Sequence, residues 1–190
     1  MRKESFMILF ETKSGMTELV GKPCMWRSAL YFIVSVGLFS GVVTNTWLIS
    51  QPLEVRGATA LSVILFLTIG LFLYAMLLHG ILETFGALAG DAKALICILG
   101  YAALPFLVLT PVALLAGKLG FGGLPLLIFI SVLGFVWMNY LMVRALEVVY
   151  IISFWQALGV VLFSLILLYV FFTWPLRVGT NLVKIILQSV

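Results

Sequence analysis

The chain has 190 residues, 64% of them hydrophobic and 9% charged, with a formal net charge of +4 and a mean hydropathy of +1.26. A soluble domain carries about a quarter charged residues, so this chain cannot coat a water-exposed globule, and over most of its surface its solvent is lipid. The basic residues are spread along the sequence rather than clustered, which fits a membrane-facing rim and gives no nucleic-acid signal.

Residues 1–27 carry Arg2, Lys3, Lys13, Lys22 and Arg27. Their apolar stretch Phe6 to Phe10 is too short for a signal-peptide core and is flanked by Glu4 and Glu11. Phe6, Leu9, Phe10, Met16, Leu19 and Val20 recur at loosely helical spacing. The segment reads either as an interfacial amphipathic element or as a partly ordered basic tail. Pro23 and Trp26 mark entry into the membrane.

Span 1 is expected over Ser28 to Ile49, with Gly37 and Gly41 as a GxxxG pair suited to close helix approach inside the bundle. A short loop, Ser50 to Gly57, holds Pro52, Glu54 and Arg56. Span 2 covers Ala58 to Leu82 and is long enough to cross with tilt. A charged crest, Glu83 to Lys93, follows, with Gly86 and Gly90 as breaks. Span 3 covers Ala94 to Ala116; Pro105 and Pro111 each remove a backbone donor and should bend or locally unwind it, which makes them candidate hinges. The freed carbonyls need partners, so this span belongs in the bundle interior or beside a cavity. After a glycine-rich connection, span 4 runs from Leu124 to Val143, with Asn139 near its end. Arg144 and Glu147 pair if the helix continues through them. Span 5 covers Val148 to Phe172 and ends at Trp174–Pro175, leaving residues 174–190 as a short tail.

The fold expected is therefore all-α: a polytopic membrane helix bundle with five transmembrane helices over residues 28–173. Of the 11 Lys and Arg residues, seven fall to the side of the N-terminus and four to the other, which puts the N-terminus in the cytoplasm and the C-terminus outside. Cys24 precedes the first span and Cys97 lies inside the third, so two unpaired thiols are expected. No CxxC or Cys/His cluster supports a metal site, and no motif implies a cofactor.

Five spans, Gly90-Asp91-Ala92-Lys93 at the crest, and Leu99-Gly100-Tyr101-Ala102-Ala103-Leu104-Pro105 in the third span resemble the Yip domain, a family of five-span membrane proteins. The resemblance covers roughly residues 10–173, and the Gly100 to Pro105 segment is its most telling part. It implies a membrane location and a five-span fold. Eukaryotic members sit in endoplasmic-reticulum and Golgi membranes and associate with Rab-type small GTPases and with each other. Those members usually carry a longer cytosolic N-terminal region. The 27 residues here depart from that pattern, count against small-GTPase binding, and resemble the short members of prokaryotic cytoplasmic membranes. For these the resemblance supplies a fold and a location but no activity.

Ionisable groups are costly in hydrocarbon, so His79, Glu83, Asp91, Lys93, Arg144 and Glu147 are functional candidates, with Asn139 and Gln156 as polar neighbours. Nearly all lie toward the cytoplasmic ends of spans 2 to 5. Either they snorkel to the interface and pair locally, or they line a polar vestibule between spans 2 to 5. The vestibule predicts that Glu83 meets Arg144 or Glu147. His79 and Glu83 share one helix face, but two ligands do not make a metal site. No GxSxG, HExxH, P-loop or dinucleotide fingerprint points to an enzyme, so no catalytic residue is assigned. Two functions follow: a non-enzymatic scaffold that binds membrane-protein partners or further copies of itself, or a small transporter or channel.

Overall fold

The computed structural model describes residues 15–17, 19, 25–87, 90–119 and 123–188, with side chains described as far as 171 and at 173. The described helices are α1 (Met25–Trp47), α2 (Leu53–Thr84), α3 (Ala92–Tyr101), α4 (Leu104–Lys118), α5 (Gly123–Tyr150) and α6 (Phe154–Gln188). Helices α3 and α4 together form one crossing, Ala92–Lys118. With Met25–Trp47, Leu53–Thr84, Gly123–Tyr150 and Phe154–Phe171 it makes five segments long and apolar enough to cross a membrane. Helices are the expected solution, since each satisfies its own backbone polar groups where no water is present. The protein is an all-α membrane helix bundle.

The third crossing is the centre of the bundle: 61% of an 18-residue apolar stretch within it is buried, against 17–33% of such stretches in the others. Leu95, Cys97, Ile98, Leu99, Tyr101, Ala102, Ala103 and Leu104 are all at most 1% exposed. Helices α1, α2 and α5 pack around α3, α1 and α5 also hold α4, and α6 closes the bundle against α5 and α2.

The crossing is interrupted at Ala102 and Ala103, directly ahead of Pro105. The Ala102 N–H is shared between the Ile98 and Leu99 carbonyls, at 3.2 and 3.0 Å, and Phe106 N–H reaches Ala103 O at 3.0 Å. These tightened turns fit a proline in the first turn of the next helix, where its missing donor costs nothing. Pro111 sits in a different setting from Pro105. It lies inside α4, which runs through it without a break. Membrane helices tolerate such prolines because neighbours and small local adjustments re-satisfy the freed carbonyl.

The helix ends also differ from those read off hydropathy. Helix α2 begins at Leu53, so Glu54 and Arg56 belong to its first two turns rather than to a loop, and Arg56 Nη1 donates to Asn45 Oδ1 at the end of α1. Helix α5 continues to Tyr150, and α6 starts at Phe154, after a turn in which Ile151 takes the left-handed conformation (φ 55°). Helix α6 does not stop at Trp174–Pro175 but runs to Gln188. At about 1.5 Å per residue this makes it roughly 50 Å long, beyond a hydrocarbon core of about 30 Å. Hydropathy locates where lipid begins; hydrogen bonding locates where a helix ends.

The closest helix crossing is not at the GxxxG pair. A Cβ on Gly41 would meet nothing within 4 Å, and one on Gly37 would only touch the Ile64 side chain. At Gly100 a Cβ would lie 1.9 Å from Ser28 Oγ and 2.7 Å from the Ser28 carbonyl oxygen. Ser28 uses the proximity to donate to Ile96 O at 3.2 Å, joining α1 to α3. Of the N-terminal segment, Met16 and Leu19 are buried in the main core. Phe6, Leu9, Phe10 and Val20, on which its amphipathic reading also rests, lie outside the described residues.

Candidate functional site

Chain alternation places the end of α2, the crest, the end of α5 and the start of α6 at one face of the bundle. The polar residues singled out from the sequence separate there into four local arrangements.

Asp91 is the N-cap of α3 and accepts from the Lys93 N–H at 3.0 Å. It satisfies one of the orphan donors that every helix start leaves. Gln156 serves the start of α6 in the same way. Its Oε1 accepts from Ser153 N–H and Ser153 Oγ, both at 3.0 Å, while Gln156 N–H points back to Ser153 Oγ at 3.4 Å. This is a reciprocal capping box, and the Ser153-Phe154-Trp155-Gln156 spacing signals it in the sequence. Replacing Ser153 by alanine should cost about 0.5–2 kcal/mol, read as a lower thermal midpoint in detergent. Adding Gln156→Ala should cost little more, since the two side chains act as one unit.

Arg144 donates to Glu147 Oε2 at 2.7 Å within α5 and to Tyr140 Oη at 3.1 Å, and its guanidinium lies 5.1 Å from the Phe154 ring centre. The helix does continue through this pair. The group is self-contained: charge, phenol and ring all come from the end of α5 and the first residue of α6.

His79 is the one member that ties two spans together. Its Nε2 lies 3.2 Å from Glu83 Oε1, one turn on along α2, and its Nδ1 bonds the Tyr150 hydroxyl at the end of α5. The imidazole thus bridges the Glu83 carboxylate and the Tyr150 hydroxyl. Tyr150 is 2% exposed. A Cβ on Gly90 would fall 2.2 Å from its ring, so the chain at Gly90 packs directly against the tyrosine. Gly86 supplies the positive φ (84°) that turns the chain out of α2. A buried phenol whose oxygen is already engaged is no exposed nucleophile; it fastens α2, the crest and α5 together.

Glu83 forms no ion pair with Arg144 among the described residues. Glu83 pairs with His79 and Arg144 with Glu147, and no ion pair joins the two groups among the described residues. Each charge finds a partner three or four residues away on its own helix, which takes less ordering than a pairing across spans. Nor is there a cluster of three or more potential metal ligands among the described residues. Asn139 lies 11 residues before the end of α5 and so sits deeper than its neighbours. It donates to Phe135 O at 2.8 Å, and its Oδ1 is buried without a partner.

The sequence reading missed Tyr150, and also Tyr74 and Ser164, whose hydroxyls bond at 3.0 Å between α2 and α6. Tyrosine and serine are ordinary in membrane helices, so nothing in the sequence pairs residues 90 positions apart.

The Yip1 domain family model matches residues 7–175 of the chain. No curated protein and no solved structure is significantly similar to it.

Proposed function

We propose that the chain, which belongs to the Yip1 domain family, acts as a non-enzymatic scaffold that organises other proteins or lipids within the membrane. The observation that carries this reading is the interior of the bundle. Among the described residues the buried serines and threonines are Ser28, Ser35, Thr44, Thr110 and Ser164 and the buried tyrosines Tyr74, Tyr101 and Tyr150, with no buried charge between the spans. A conducted ion or polar solute needs charged or polar groups lined up along its route, whereas the ionisable groups here pair locally at one face. By contrast, spans 2 and 5 are only 17% buried and present Leu65, Leu73, Ile166 and Tyr169 outward, all more than half exposed. Faces of that kind are available to lipid tails and to helices of other membrane proteins, including further copies of this chain. The same reading keeps the polar face and N-terminus on the cytoplasmic side of a prokaryotic inner membrane.

Two measurements test it together. Purified protein in proteoliposomes should show no proton or small-ion flux above protein-free vesicles. Photo-reactive residues placed at Leu65 and Ile166 in native membranes should crosslink to discrete membrane proteins, while one at the buried Leu99 should not. Flux that disappears in folded Glu83→Gln or Glu147→Gln protein would replace the scaffold with a transporter.

A further inference from the structure

Helices α2 and α6 form the second and fifth crossings and so run antiparallel. A hydrogen bond sets their register: Tyr74 Oη to Ser164 Oγ at 3.0 Å, both residues buried. Leu82 and Gln156 each lie eight residues from that bond, on the side of the crest. At about 1.5 Å per residue they stand level with each other, roughly 12 Å further out.

Between these two levels the helices stand apart. A groove opens there, lined by Leu82 and Phe85 of α2 and by Gln156, Gly159, Val160 and Phe163 of α6. Gly159 leaves room in it, since a Cβ there would meet nothing within 4 Å. The apolar part of α6, Phe154–Phe171, is 18 residues long, close to the length that crosses about 30 Å of hydrocarbon. Its first turn therefore lies where lipid tails meet headgroups. Trp155 is 76% exposed at that level, as aromatic residues at an interface are. The groove starts at this boundary and runs inward, along the direction of the tails, until α2 and α6 close at Tyr74 and Ser164.

Gln156 is the polar side chain among the described residues that line it. Its Oε1 accepts from the Ser153 N–H, and a backbone N–H can only donate, so the orientation of the amide is fixed. The Nε2 hydrogens are left over on an exposed side chain, with no protein partner among the described residues. The groove thus offers a donor at its mouth and apolar walls below.

Orientation and length select the occupant. A crossing helix following this groove would run into the closed contact at Tyr74 and Ser164. An interfacial helix lies in the membrane plane, across the groove rather than along it. A lipid tail runs along it, and the ester carbonyl that joins a tail to glycerol supplies an acceptor at the depth of Gln156. We propose that this groove binds one acyl chain of an ester-linked glycerolipid, the chain lying over Gly159 and its ester carbonyl accepting from Gln156 Nε2. The groove holds lipid whether or not the outer faces recruit protein partners.

The test uses full-length protein in phosphatidylcholine nanodiscs with either of two photo-lipids as a trace component. Both carry the same headgroup and the same diazirine tail, joined to glycerol by an ester in one and by an ether in the other. Labelled residues are mapped by mass spectrometry, and labelling around Leu82, Val160 and Phe163 is divided by that on the open face around Leu65. The ester probe should label the groove about fivefold more than the ether probe, a ratio equivalent to about 1 kcal/mol. Gln156→Glu keeps an acceptor for both Ser153 groups, so the cap and the thermal midpoint should stay. It removes the donor, and the ratio should fall close to one. Gly159→Leu should fill the groove and bring labelling by both probes down to that of the open face, without lowering the midpoint. Equal groove labelling by ester and ether in the unaltered protein would overturn the proposal. So would a preference that survives Gln156→Glu, or a groove that takes no lipid label because another segment of the chain or a second copy covers it.

Discussion

Replacing Gly100 by leucine is expected to abolish recovery of monodisperse protein in detergent. The first added carbon would stand 1.9 Å from Ser28 Oγ and within 2.9 Å of the Ser28 backbone, and Gly100 is itself in the most buried part of the bundle. Overpacking a core costs about 1–3 kcal/mol when side chains can give way, and more when a backbone stands in the way. Total stabilities of about 5–15 kcal/mol leave little room for that. Alanine at the same position should fold, with a midpoint lower by about 2–4 °C for each kcal/mol lost. Combining it with Ser28→Gly should recover part of the loss and not all, because the serine oxygen is removed while the carbonyl at 2.7 Å remains. A leucine variant with an unchanged midpoint would mean that α1 and α3 do not cross there.

The second large effect is expected at Tyr150. Tyr150→Ala empties a buried ring site against Gly90 and releases His79, and large aromatic truncations of this kind cost about 3–5 kcal/mol. Tyr150→Phe keeps the ring and removes only the hydroxyl. It strands His79 Nδ1 and should cost about 1–3 kcal/mol. The informative variant is the double replacement Tyr150→Phe with His79→Leu. Removing both partners of a buried hydrogen bond is close to neutral, so the pair should be more stable than Tyr150→Phe alone. Additive losses in that cycle, read from thermal midpoints, would show that the two side chains do not act on each other.

Much of the fold was legible before any coordinates. Low charge and long apolar runs dictate five crossings, because a backbone in hydrocarbon must close its own hydrogen bonds. Pro105 announced the interruption in the third crossing, and Arg144 and Glu147 announced their own pairing, since both effects act within one turn of helix. The capping box at Ser153 and Gln156 was equally local and went unread. The exact ends of α2, α5 and α6 were not legible, because a helix continues past the edge of the lipid wherever its own bonds allow.

Local spacing therefore accounts for the membrane class, the number of crossings and the charges that pair along a single helix, all of which depend on residues close together in the chain. It left undecided which helices touch. That Gly100 rather than the Gly37–Gly41 pair carries the tight crossing, that His79 reaches Tyr150 on another span, and that Tyr74 reaches Ser164 all depend on how separate helices rotate about their axes. In lipid that rotation is set by side-chain packing between helices, since an apolar surface gains nothing by turning away from an equally apolar solvent. Only the assembled bundle contains that information.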